Sequence, residues 1–127
     1  MTPEAGRFLE KAEKCSANAQ ASLTIGLTND AGRSAYLAAF HAAQALIFER
    51  LGKIAKTHNG VHAEFARLTA NAPEFVGFSA FLLRAYNLKA VADYETGPDS
   101  DIPLHRAVAA AEDAGRFVAA ISRALTP

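Results

Sequence analysis

The chain has 127 residues, half of them hydrophobic and a fifth charged, and its thirteen basic and thirteen acidic side chains cancel. That length suits one domain over residues 1–127 with a core that needs no staples, and the charge balance excludes a global field drawing in nucleic acid, so any such contact needs a local patch. A lone cysteine, Cys15, excludes an internal disulfide and a multi-cysteine zinc site.

Near-zero net charge also gives little electrostatic protection against self-association. Alanine is abundant and β-branched residues are sparse, a bias towards helix. No apolar run approaches the roughly 20 residues of a membrane span, because His41, Gln44, Glu49 and Arg50 interrupt the most apolar stretch. The start, MTPEAGRFLEK, lacks a basic region leading into an apolar run. The expectation is a cytoplasmic protein with no membrane contact.

The first helix is predicted from Pro3 to Thr24. Thr2 is its N-cap, Pro3 takes the first helical position and Glu4 complements the helix dipole. Phe8, Leu9, Ala12, Cys15, Ala19 and Leu23 recur at helical spacing, which makes Cys15 a packed, inert thiol. Asn29 or Asp30 is expected to cap a second helix ending at Gly52. Tyr36, Phe40, Ala43, Ile47 and Leu51 form one stripe on it, and Leu37, Gln44 and Phe48 a second beside it. A helix apolar around so much of its circumference is central or lies in a subunit interface.

A connector over Lys53–Thr57 leads to a short third helix starting near Thr57 or His58, with Val61, Phe65 and Leu68 inward, ending near Asn71 ahead of Pro73. A fourth helix is predicted from Glu74 to Tyr94, with Phe75, Phe78, Leu82, Ala85, Leu88 and Ala92 in its stripe and Phe81 widening it. ETGPDSDIP, Glu95 to Pro103, reads as the clearest loop. A last helix spans Leu104 to Leu125. The predicted fold is all-α: an up-and-down antiparallel four-helix bundle with one additional short helix.

Candidate chemistry gathers in three places. His41 is either a half-buried histidine bonded to a neighbouring helix or a residue facing a groove below Arg33 and Leu37. In the connector, Lys56, Thr57 and His58 bring a cation, a hydroxyl and an imidazole to a helix start, where free N–H groups favour an anion; the plain alternative is that Thr57 only caps the helix. His58 and His62 share a helix face, but without HExxH or a Glu-x-x-His pair no metal site is expected. On the fourth helix, Arg84, Asn87, Val91 and Tyr94 fall on one side, and Tyr86, Lys89 and Asp93 on the other. Ser-His-Asp spacing, a Walker loop and GxGxxG are all absent.

RSAYLAAFHAAQALIFERLGKIAKTHNGV, followed by LRAYNLKAVADYE, resembles the HEPN superfamily, and within it the small single-domain proteins with an AYxAxFHAAxAL helix, a KTHSGV turn and a late R…ADY helix. The matching positions are Tyr36, Phe40, His41, Ala42 and Ala43, then Lys56, Thr57, His58, Gly60 and Val61, then Arg84, Ala92, Asp93 and Tyr94. Asn59 stands where serine is common. The resemblance implies a helical bundle that forms homodimers, encoded beside a minimal nucleotidyltransferase in toxin–antitoxin or defence pairs. It also implies, for many members, a metal-independent RNase activity carried by an Arg-x(4–6)-His motif. No arginine here has a histidine at that distance; aligning on Tyr94 puts Asn87 and Ala92 at the two positions.

Two readings follow. In the first the chain binds RNA, a nucleotide or a partner protein through Tyr36, His41, Lys56, Thr57, His58, Arg84, Asp93 and Tyr94. In the second it is an RNase toxin with a relocated site, His41 or His58 acting as base and Lys56 or Arg84 on the phosphate. Neither calls for a cofactor.

Overall fold

The computed structural model describes residues 1–127. Five α-helices run in order: α1 (Pro3–Thr24), α2 (Thr28–Leu51), α3 (His58–Thr69), α4 (Phe78–Tyr94) and α5 (Leu104–Leu125), with a 3₁₀ turn at Pro73–Phe75. There is no strand. The all-helical bundle with its extra short helix is as the periodicity predicts, and α1 and α5 begin and end at the expected residues.

The second helix is the hub, packed against α1, α3, α4 and α5. Ala31, Ala35, Ala38, Ala39, Ala42, Ala43 and Ala45 are fully buried on it, and these small side chains let neighbours approach from more than one direction. Leu46 and Ile47 fill the larger spaces, whereas Leu37 and Leu51, expected in the stripes, reach the surface. Cys15 is half-buried against the core, and burial pushes its thiol upward despite Lys11 and Lys14 nearby.

Three departures from the predicted elements have local causes. Helix α2 starts at Thr28 with no side-chain cap. Asn29 serves the distant loop instead: its Oδ1 accepts from the Ile102 amide at 2.9 Å and its Nδ2 donates to Asp101 at 3.0 Å. Helix α3 stops at Thr69, whose hydroxyl turns back to the Phe65 carbonyl. The predicted Glu74–Tyr94 helix is broken at Gly77, whose φ of 84° cannot continue an α-helix. The break lets Phe75 and Phe78, on different elements, lie 6.1 Å apart.

The loop before α5 is anchored by Ile102, which is buried against Gly32 of α2; a Cβ added at Gly32 would lie 2.5 Å from Ile102 Cδ1. Asn29→Ala is therefore expected to destabilise the fold by about 1–3 kcal/mol, because it leaves the Ile102 amide without a partner. Urea unfolding measures the loss. Hydrogen exchange should show the Ile102 amide losing protection while α1 stays protected.

Candidate functional site

The connector after α2 turns at Gly52, a left-handed residue (φ 67°) whose amide donates to the Phe48 carbonyl. Thr57 then caps α3, its Oγ1 accepting from the Gly60 amide at 3.0 Å. The approach is close enough that a Cβ at Gly60 would lie 2.9 Å from that oxygen. Glycine in the THNG turn thus serves the cap, and the cap aims His58 back at α2 and α4.

There the imidazole meets two tyrosines. Tyr36 Oη lies 3.0 Å from His58 Nδ1, and the His58 ring stacks on Tyr86 with centroids 3.6 Å apart and planes 11° from parallel. Tyr36 and Tyr86 are 5.5 Å apart, and His62 meets His58 edge-on at 5.7 Å. Tyr36 is buried; His58 and Tyr86 are half-exposed. Burial, with Tyr86 alongside, raises the Tyr36 pKa, so the phenol keeps its proton. Burial also lowers the His58 pKa, with His62 adding to it, which favours a neutral ring. With the phenol donating to Nδ1, the remaining ring proton sits on Nε2.

Two turns along α4 from this stack, Asp93 holds two cations. One carboxylate oxygen accepts from Arg33 Nε at 2.6 Å and the other from Lys89. Arg33 also bonds Asp30 and the Ala92 carbonyl, which ties α2 to the end of α4. Lys89 and then Arg33 hold the Asp93 carboxyl below the usual carboxylate range, and Asp93 in turn raises both cations. Asp93 positions cations and offers no free oxygen.

The other predicted residues lie elsewhere. His41 Nδ1 is 2.8 Å from Gln44 Oε1, and Gln44 Nε2 donates to the Ala55 carbonyl at 2.8 Å. With the amide nitrogen committed to that carbonyl, the amide oxygen accepts and His41 carries its proton on Nδ1. The histidine thereby pins the connector, bonded within its own helix and to no neighbouring one. Arg84 faces α5, its guanidinium over the Phe81 ring, far from the His58 stack. Lys56 is exposed beside the cap, and Tyr94 is 78% exposed at the end of α4. Of the eight sequence candidates, Tyr36 and His58 are in direct contact, Thr57 caps the helix that carries His58, and Asp93 shares the Tyr86 face of α4.

Tyr86, Lys89 and Arg33 complete the candidate site. The helical turn puts Tyr86 and Lys89 on the face of Asp93 and opposite Arg84, so the cation accompanying ADY is Lys89. No three His, Cys, Asp or Glu side chains gather anywhere in the fold.

A family model for the HEPN domain matches residues 5–124, nearly the whole chain. The chain is a HEPN-domain protein. No curated protein matches it. No helix of this HEPN domain is long and apolar enough to cross a membrane.

Two of the HEPN chain's histidines are expected to make its stability depend on pH. His41 is lowered by burial and by Lys11, against the Gln44 hydrogen bond; His58 is lowered by burial and His62. Where the folded pKa lies below an unfolded value of about 6.5, the unfolded chain binds more protons in between, and stability falls as pH falls. The depressed carboxyls of Glu49, Glu64 and Asp93 lose their contribution only at lower pH. Urea unfolding from about pH 7 to pH 5 should therefore show stability declining with acid, with a flatter slope in a His41→Gln/His58→Gln variant. An identical slope would exclude these two histidines as its source.

Proposed function

We propose that this HEPN protein works by binding, as the subunit of a toxin–antitoxin or defence pair with a minimal nucleotidyltransferase, and that it takes RNA or a nucleotide at the α2–α3–α4 site. The observation carrying this reading is the half-exposed His58–Tyr86 stack set one helical turn from Lys89. A base has a π-face to lie on and its phosphate has a cation. Lys56, free of any ion pair beside the Thr57 cap, supplies a second. Dimer formation, cytoplasmic location and a single domain belong to the same reading.

The RNase alternative would need His58 as its base, yet with Nδ1 accepting from Tyr36 and the ring proton on Nε2 the neutral imidazole has no free lone pair to offer a substrate. Binding is preferred because the Arg-x(4–6)-His motif is missing from the chain. The test is anisotropy with a labelled single-stranded RNA and a nucleotide competitor, with the RNA then resolved on a gel. Affinity should fall for His58→Ala and Lys89→Ala and hold for His41→Ala and Arg84→Ala, with the RNA intact throughout. Cleavage that disappears in His58→Ala would replace the binding reading with the nuclease one.

A further inference from the structure

The backbones of α4 and α5 come close at few points, and the gap between them is a groove on the side of α4 away from the His58 stack. Two adjoining hollows, of about 160 and 180 Å³, share Phe81, Arg84 and Asp113 and make it continuous. Its floor is aliphatic and shallow, formed by Ala85, Leu88, Ala109 and Ala110. Its rim is cationic. Arg84 and Arg106 are exposed, and neither belongs to any ion pair of the fold. Arg116, at the far end, pairs with Asp113, the one acid lining the groove.

We infer that this groove docks an acidic amphipathic helix of a partner protein, small apolar residues against the floor and carboxylates against Arg84, Arg106 and Arg116. Three arginines against one aspartate leave a surplus of positive charge, which calls for an anionic occupant. Arg106 and Arg116 are ten residues apart on α5, so their anchors lie about 15 Å, or nearly three helical turns, apart. A helix in the groove meets that spacing with carboxylates on successive turns of one edge, and the alanine floor lets its backbone come close.

Two other occupants fit less well. A second copy presenting the same face would set arginine against arginine. A nucleic acid would find phosphate contacts, but both rings lining the groove are engaged in packing: Phe81 is buried under the Arg84 guanidinium and Phe78 stacks on Phe117. The inference is independent of the binding reading above, which uses the opposite face of α4.

The test uses the full chain and a synthetic helical peptide of about five turns, with an Ala/Leu stripe edged by glutamates. Its controls are a scrambled isomer, a version with lysines for the glutamates, and a single-stranded RNA. The patterned peptide should bind about tenfold more tightly than the scrambled one, and Arg84→Glu/Arg106→Glu should remove that advantage. The lysine peptide should then prefer the reversed variant, with RNA affinity unchanged. Equal binding of patterned and scrambled peptides, or indifference to charge reversal, would overturn the inference. RNA affinity falling in the variant would overturn it in favour of a nucleic-acid groove. Both arginines are exposed and unpaired, so circular dichroism should give the wild-type unfolding midpoint; if it does not, Arg84→Gln/Arg106→Gln replaces the variant and the peptide ranking is read again.

Discussion

Phe117→Ala is expected to destabilise the protein by about 3–5 kcal/mol, the largest effect of any single substitution considered. Phe117 is fully buried on α5 and gathers rings from two other elements: Phe65 of α3 at 5.1 Å, and Phe78 and Phe81 of α4 at 4.8 and 6.2 Å. Because the backbones of α4 and α5 come close at few points, this aromatic cluster is their main attachment. Truncation removes the ring's transfer free energy and leaves a cavity whose lining rings, each held by its own helix, relax only partly. Urea unfolding should show the midpoint dropping sharply, and α4 amides should exchange before those of α1 and α2. A loss below about 1 kcal/mol would mean that the cluster collapses freely and that α4 is held by its α2 contacts alone.

The second large effect concerns the ligand. Tyr86→Ala is expected to weaken RNA binding by about 1–3 kcal/mol, the usual range for removing one stacking platform. The substitution also takes away the ring against which His58 lies, so the imidazole loses its fixed orientation while the Tyr36 hydrogen bond remains available. Lys89→Ala should act differently. It removes a phosphate contact, so affinity should fall alike for different sequences and the slope of log affinity against log salt should become shallower by about 0.7. With Lys56 and Lys89 as the contacting cations, the wild-type slope should be near −1.4, roughly that of two contacts on a single strand. A salt slope unchanged by Lys89→Ala would place the phosphate elsewhere.

Much of this fold is readable in the residue pattern, for reasons that are local. Thr2-Pro3 starts α1, Thr57 starts α3 with Gly60 tucked against its hydroxyl, and α5 is bounded by Pro103 and the end of its apolar stripe. The misreadings arise where a residue's partner is far away in the chain. Asn29 looks like a helix cap, yet its side chain bonds Ile102, 73 residues on. Ile102 sits in a Gly-Pro-Asp-Ser loop and looks exposed, yet it fills the space left by Gly32. Phe75, Phe78 and Leu82 keep helical spacing across Gly77, so a broken segment reads as one helix. Leu37 and Leu51 keep the same spacing and still reach the surface.

The site divides along the same line. Tyr36, His58 and Asp93 are legible because the HEPN-like motifs carry them, and the structure brings them onto one surface. Arg84 shares the R…ADY stretch with Asp93, but its place nine positions earlier on the helix turns it towards α5. Lys89, four residues before Asp93, has the i,i+4 spacing an ion pair needs, so this pair is readable in the sequence and forms in the structure. His41 shares its helix with Tyr36, but five residues on it points to another side, where Gln44 claims it. Only the packed structure shows which side of a helix with so wide a buried face His41 meets.

On the reading proposed above, the α2–α3–α4 face holds RNA without cutting it. The most direct test of that reading is an NMR titration of the full chain with a single-stranded oligonucleotide, following the ring resonances of His58, His62, Tyr86 and His41 together. Saturating shifts are expected at His58 and Tyr86, smaller ones at His62 and none at His41, with an oligonucleotide of unchanged length at the end. Shifts confined to His41, no response from the His58–Tyr86 stack at saturating RNA, or a shortened oligonucleotide would contradict that reading.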